Sequence, residues 1–350
     1  MPIVQSQQKQ TWQHKSNVSQ QQHVSTQHRP LIALITTGGT IAGSGESPTD
    51  TTAYTAACLS GSALLAKIPE LNELAQIQII PLFDIDSKDI TAAHWHALAE
   101  HTQALIDAPE IRGIVITHGT DTLEETAFVL DLTLRGDKPV VMTGAMRPAS
   151  ALSADGPMNL YDAVCAAIHP DSAGRGIIVC FNRTLFSGRS LRKQHTRALD
   201  AFCGGNQGHI GQTGPVRYFS PPSPRFTLTR LISIDKLPRV DVLHVGGDTS
   251  PSLLAAVVAA GARGVVLALP GNGSLPSAWE DSVRNIVADG TPIVRASRCA
   301  NGEVTYLPVD ERTGSRPAGD LSPAVARLWL AMQLAEATEN AADGAQGQTW

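Results

Sequence analysis

Gly113-Ile114-Val115-Ile116-Thr117-His118-Gly119-Thr120-Asp121 passes from an apolar, β-branched run into a polar glycine turn. Residues 122–134 then carry Leu123, Thr126, Ala127 and Leu130 at helical spacing. The run reads as a strand buried on both faces, and the spacing after it predicts a helix. A strand, a tight turn and a helix in that order predict a parallel sheet, whose ligands bind beyond the carboxyl ends of its strands. Thr120 and Asp121 stand at such an end. A second turn of the same design lies upstream, where the apolar run 31–35 leads into Thr36-Thr37-Gly38-Gly39-Thr40-Ile41-Ala42-Gly43. Two Gly-Thr turns can bring two hydroxyls to one crevice.

The same alternation extends in both directions. Strands are expected at 31–36, 77–82, 112–117, 139–143 and 176–181, with helices at 56–67, 91–107, 122–134 and 157–168. Thr91 suits an N-cap, and Asp155-Gly156-Pro157 sets proline at a first helical position. Residues 218–230 are proline-rich and aperiodic, as a semi-extended linker would be. Beyond them come strands at 241–246, 264–269 and 292–297 and helices at 251–261, 277–289 and 323–337. The fold class is α/β. A larger, mainly parallel sheet domain with flanking helices (30–217) precedes the linker, and a smaller α/β domain (231–350) follows it. Residues 1–29 hold nine glutamines and four serines and almost nothing apolar, which predicts a disordered tail.

Composition narrows the function. The 350 residues are 42% hydrophobic and 17% charged, which suits a soluble globular chain with a sizeable core. Three of the 27 basic residues and none of the 32 acidic ones fall in the first 30, so the rest carries a net charge of −8. That sign argues against nucleic acid or an anionic membrane as partner. The five cysteines form no Cys-x-x-Cys and read as reduced thiols rather than a disulfide frame or zinc site. The longest apolar stretch, 253–269, is interrupted by Arg263 and is too short to span a bilayer. The first 30 residues lack the apolar centre of a signal peptide, so a cytoplasmic location is expected.

Several residues could carry chemistry. The turn 38–43 is neither Gly-x-Gly-x-x-Gly nor a P-loop, and it suits close approach of backbone N–H groups to a small ligand better than a phosphate cradle. Residues 44–55 are small and polar with Tyr54 as the one large side chain, a composition that suits a lid or a plain surface loop. Thr120 and Asp121 could serve a site or simply cap the helix that follows. Lys193, after Ser187-Gly188-Arg189, could take a hydroxyl proton if it were buried beside a carboxylate. Asp84-Ile85-Asp86-Ser87-Lys88-Asp89 clusters at a strand end. His94, His96 and His101 lack metal-ligand spacing on a helix. No Gly-x-Ser-x-Gly elbow is present.

Thr36-Thr37-Gly38-Gly39-Thr40-Ile41-Ala42 and Thr117-His118-Gly119-Thr120-Asp121-Thr122-Leu123-Glu124-Glu125-Thr126-Ala127 resemble the two signatures of the bacterial-type L-asparaginases, in the asparaginase/glutaminase family. Lys138-Pro139-Val140-Val141, Gly144-Ala145-Met146-Arg147-Pro148, Ser153-Ala154-Asp155-Gly156-Pro157 with Asn159-Leu160, and Gly271-Asn272-Gly273 support the likeness, which covers about residues 31–340. The resemblance implies hydrolysis of L-asparagine to L-aspartate and ammonia, with glutamine as a minor substrate and no metal or organic cofactor. By match, Thr40 resembles the nucleophile, paired with Tyr54. Thr120 with Lys193 resembles a second hydroxyl–base pair, linked with Asp121 as a triad. Asp121 resembles the residue that holds the substrate α-amino group, and Ser87 the one that holds its α-carboxylate.

The chain departs from the pattern at three places. Lys88 follows Ser87 where many members carry a neutral residue. Asp248 is the nearest counterpart of an Asn that, in secreted members, a neighbouring subunit contributes. The loop 299–315 is shorter than the one holding the matching Glu, with Glu303 as a candidate. The resemblance also implies a homo-oligomer, dimer or tetramer. Two other readings are a non-catalytic amino-acid sensor and the ammonia-supplying subunit of a tRNA-dependent amidotransferase. Retention of both hydroxyl pairs speaks against the sensor. The acidic globular part and the short polar tail speak against the amidotransferase subunit.

Overall fold

Ile32 and Leu34 face one side of the first strand, Ala33 and Ile35 the other, and all four are fully buried. A strand so covered belongs inside a sheet with layers on both faces. In the computed structural model, which describes residues 29–51, 55, 58–225, 228 and 234–342, it is β1 (Leu31–Gly38). The tail 1–28 and Tyr54 lie outside the described residues, as does much of 226–233.

β1 lies between β2 (Gln76–Ile85) and β3 (Ile111–Thr117), and β4 (Val140–Thr143) and β5 (Ile177–Phe181) continue the sheet beyond β3. All four of these pairings are parallel. The order 2-1-3-4-5 reverses direction at β1 and β3, which is where doubly wound sheets open a ligand crevice. Two of the strands are longer than expected. β1 runs on to Gly38 and β2 to Ile85, and both extensions carry the backbone to the crevice edge.

The sequence shows no strand or helix pattern over 182–217. There β6 (Thr184–Ser187) turns back antiparallel on β5, β7 (Arg192–Lys193) pairs with β8 (Phe202–Cys203), and β9 (Gly211–Gln212) and β10 (Arg217–Tyr218) complete an eight-stranded sheet. Strands of two to four residues give too short an alternation to be read from pattern.

Helices cover both faces. The helix expected at 56–67 is only α1 (Gly61–Leu65), because Ser60 caps it by accepting from the Ala63 N–H. α2 (Leu71–Leu74) follows. α3 (Ala92–Asp107) and α4 (Leu123–Thr133) pack on the face that carries Ala33 and Ile35, and α5 (Gly156–Ile168) on the other.

The second sheet is fully parallel, in the order β11 (Val240–His244), β12 (Gly264–Leu269), β13 (Ile293–Ser297), β14 (Arg316–Pro317). α6 (Ser252–Ala259), α7 (Ser277–Ala288) and the short α8 (Pro308–Thr313) accompany it. α9 (Pro323–Ala342) joins the two sheets. Its Val325, Leu328 and Met332 enter the first core, and Ala326, Leu330 and Ala331 enter the second. Arg327 on α9 also bonds Glu125 of α4 at 2.9 Å. Among the described residues no helix is long and apolar enough to cross a membrane.

Candidate active site

Three turns meet at the carboxyl ends of β1, β2 and β3. Gly39 sits at φ 81°, ψ −176°, a conformation open to glycine almost alone. A Cβ there would fall 2.5 Å from the Gly119 Cα, and a Cβ on Gly119 would fall 2.5 Å from the Ser87 Oγ. The two glycines therefore let the Thr40 turn, the Thr120 turn and Ser87 close on one another. Thr37 Oγ1 donates to the Thr117 carbonyl at 2.9 Å, Thr122 Oγ1 to the Ser87 carbonyl at 2.8 Å, and Gly39 N–H to the Ile85 carbonyl at 3.0 Å. Thr40, Thr120 and Ser87 are all buried in this junction.

Lys193 arrives from β7. Its Nζ donates to Thr120 Oγ1 at 3.0 Å and to Asp121 Oδ1 at 2.6 Å. The Lys193 side chain is only 17% exposed, whereas that of Asp121 is 60% exposed. A second side chain fixes the lysine's backbone: Glu124, on α4, accepts from the Lys193 N–H at 2.7 Å. Burial raises the Glu124 pKa, and the Lys193 N–H opposes that rise.

His118 stands behind the Thr120 turn, fully buried. Its Nδ1 lies 2.7 Å from the Gly119 carbonyl and its Nε2 3.0 Å from Thr126 Oγ1. Trp95 Nε1 donates to that same hydroxyl at 2.9 Å. A contact of this length with a carbonyl needs the proton on Nδ1, so Thr126 donates its own proton to Nε2. The imidazole is thus held neutral, and burial pushes its pKa down to about 4. In an unfolded chain it would titrate near 6.5. Because the folded value is the lower one, this stabilisation is complete above about 6.5 and is lost as pH falls toward 4. Urea denaturation should show about 2–3 kcal/mol lost to this group between pH 7 and 4.5. His118→Phe should lack that part of the slope.

The other candidates lie as follows. Lys88 is exposed, and its ammonium pairs with Asp86 and, at 3.8 Å, with Asp89. That bond to Asp86 raises its pKa, and Asp121 adds a smaller push in the same direction. Asp248 lies on the second sheet, exposed, in the turn after β11 with φ 59°. Glu303 is exposed as well. The helical histidines are engaged locally: His94 Nδ1 accepts from the Thr91 N–H, His96 faces Glu100, and His101 Nδ1 meets the Ala97 carbonyl. No group of three potential metal ligands occurs among the described residues.

The family model "Asparaginase, N-terminal" matches residues 31–224, and "Glutaminase/Asparaginase C-terminal domain" matches 239–343. The chain belongs to the asparaginase family. It is 37% identical to L-asparaginase 2 of Bacillus subtilis over 314 residues, 89% of this chain and 84% of that protein. It is 38% identical to the probable periplasmic L-asparaginase of Haemophilus influenzae, over 88% of this chain and 89% of that one. The crystal structure of a probable cytoplasmic L-asparaginase from Campylobacter jejuni superposes with a TM-score of 0.83 at 36% identity, covering 87% of this chain and 95% of that one. Relatives in this asparaginase family thus bear names from two compartments.

Two side chains that brace the Thr120–Lys193 group in this asparaginase-family protein carry no signal in sequence. Glu124 and His118 both lie inside the quoted signature, but a Glu in the first turn of a helix and a His beside a glycine carry no signal of their own. Their roles depend on contacts 69 and 8 residues away in sequence.

Proposed function

We propose that this chain hydrolyses the side-chain amide of L-asparagine to L-aspartate and ammonia, with L-glutamine as a minor substrate. The observation that carries the reading is the Lys193 ammonium bonded at once to the Thr120 hydroxyl and the Asp121 carboxylate, beside the Thr40 turn. An amide is a poor electrophile, so the reaction needs an activated hydroxyl and donors for the oxyanion. In this reading the Thr40 hydroxyl, with Tyr54 from the loop that follows, attacks the amide carbon. The C–N bond breaks and the nitrogen leaves as ammonia after taking a proton. Water then restores the hydroxyl and releases the new carboxylate.

Thr120 and Lys193 pass protons at the reacting end. Asp121 binds the α-ammonium and Ser87 the α-carboxylate, and Lys88 adds positive field at the rim. Recognition by both charges selects an α-amino acid. No metal or organic cofactor enters these steps. Purified protein should release ammonia from L-asparagine near neutral pH, and more slowly from L-glutamine. Ligand-induced stabilisation by asparagine without any ammonia would instead mean a sensor.

The site as one chain builds it is open at Asp121, where a charge in water grips weakly. This supports a homo-oligomer in which a second copy covers the opening and offers its own Asp248. Sedimentation velocity would give the state. In that assembly Asp248→Ala should raise KM for asparagine about 10-fold, the loss expected for one charge-assisted hydrogen bond. An unchanged KM would remove Asp248 from the site. The five reduced cysteines support the cytoplasm as its location.

A further inference from the structure

We propose that Asp155 and Asn159 are positioning residues for this amide hydrolysis, an inference that rests on the reading above. They hold residues 144–153 as a bracket along the Thr40 and Thr120 turns.

The bracket starts where β4 ends. A Cβ on Gly144 would fall 2.5 Å from the His118 carbonyl oxygen and 3.4 Å from the Thr120 Cγ2. Ala145 is fully buried next to it. Gly156, at the start of α5, leaves room for both Ala145 and Ile41: a Cβ there would fall 3.4 Å from the Ala145 Cβ and 2.8 Å from the Ile41 Cγ1. So the first two residues of the bracket lie against one threonine turn and next to the other. Its later residues bind the loop that leaves Thr40. Ala149 N–H donates to the Gly43 carbonyl at 2.9 Å, Gly45 N–H to Ser150 Oγ at 2.9 Å, and Leu152 N–H to the Pro48 carbonyl at 3.0 Å.

Asp155 and Asn159 fasten this segment from behind. Asp155 stands at the N-cap of α5, yet its carboxylate does not cap that helix. It turns back instead. Oδ2 accepts from the Met146 N–H and Oδ1 from the Arg147 N–H, each at 2.9 Å. Asn159 Nδ2 donates to the Gly144 carbonyl at 3.0 Å and to Asp155 Oδ2 at 3.1 Å. Asn159 Oδ1 accepts from the Asn182 N–H at 3.0 Å, which ties the bracket to the turn after β5. Three donors therefore converge on one carboxylate, and a carboxylate alone can accept from all of them. Forgoing the helix cap for two loop amides makes the loop's position, rather than the helix, the main beneficiary of this side chain.

The bracket touches the reacting end of the site. Of the two residues assigned to the substrate head, Ser87 is carried by the separate turn after β2, and Asp121 follows Thr120 with its carboxylate 60% exposed and bonded to Lys193 Nζ rather than to the bracket. A loosened bracket should misplace the hydroxyls while leaving the head-group grip in place. Asp155→Asn is the direct test: one oxygen becomes an NH2 group, and at least one of the three donors then faces another donor. Asn159→Leu removes the link to Gly144 and leaves the carboxylate.

The experiment measures ammonia release from L-asparagine by the full-length protein, with L-aspartate titrated by calorimetry to count binding sites. Both variants should bind aspartate with unchanged stoichiometry and a Kd within about 3-fold. Their kcat per site should fall about 10- to 100-fold, the scale of a misplaced catalytic group. A kcat per site within 2-fold of the parent overturns the proposal, and so does a parallel loss of aspartate binding and kcat. Should one variant fail to fold, the other decides alone. A parent protein that releases no ammonia takes down the functional reading and this inference with it. A parent that does, alongside fully active variants, takes down the bracket only.

Discussion

Thr40→Ala is expected to lower kcat for ammonia release from L-asparagine by about 10⁴-fold or more, while aspartate still binds. The size of the effect follows from what alanine removes. The Thr40 side chain lies in a one-turn helix, Thr40–Ala42, buried and braced by the Gly39–Gly119 contact. Deleting its hydroxyl and methyl leaves that backbone brace intact, so the thermal midpoint should move by only a few degrees. On the proposed mechanism, chemistry by contrast loses its attacking atom. Thr120→Val should also be severe, because it strips Lys193 of its 3.0 Å hydroxyl partner. If both hydroxyls serve one step, the double variant will be scarcely worse than the worse single one. Additive losses would mean two independent roles. Residual turnover within 10-fold of the parent in Thr40→Ala would shift the nucleophile to Thr120.

The fold was legible wherever a strand is buried on both faces. β1, β3 and β12 are short apolar runs rich in β-branched residues and ended by glycine turns, and that length and flanking select a buried strand over a helix. The strands between β5 and α6 were legible only in part. β7, β8, β9 and β10 are two residues long each, too short for an alternation to show, and the β5–β6 hairpin before them turns at Asn182 and Arg183, both at positive φ. The parts of the site also differ in how far sequence carries. Thr120 and Asp121 announce themselves, because a hydroxyl and a carboxylate at a strand's carboxyl end lie where such sheets bind ligands. Lys193 does not. Its 72 residues of separation from Asp121 are closed by the β6 hairpin and by Glu124 gripping its N–H, and neither leaves a local pattern. Asp155 stands in sequence only as the residue two before a helix-start proline, and its contacts alone show that it serves the loop before it. His118 is the sharpest case. Burial keeps it neutral, and the partner of its Nε2, Thr126, is itself bonded by Trp95 from a different helix.

Lys193→Met should reduce kcat by about 10²- to 10⁴-fold, the range for loss of a positioned proton-transfer group. Methionine replaces most of the buried stem, so packing against α4 should survive. The variant separates two duties of the ammonium. Toward Thr120, to which it donates at 3.0 Å, the proposed duty is proton transfer, and that would appear in kcat. Toward Asp121 it is a counter-ion at 2.6 Å, competing with the substrate's own α-ammonium for the same carboxylate. Removing the competitor should leave KM unchanged or lower it, while kcat collapses. Asp121→Asn should do the reverse, raising KM more than it lowers kcat. Lys193→Arg then decides between charge and proton. Arginine keeps the positive charge beside Asp121 but cannot give up its proton under working conditions. If Lys193 moves a proton, Lys193→Arg will be nearly as slow as Lys193→Met. Activity within about 5-fold of the parent in Lys193→Arg would mean that the site needs only a cation there, and the proton path would have to run through the Thr40 pair instead.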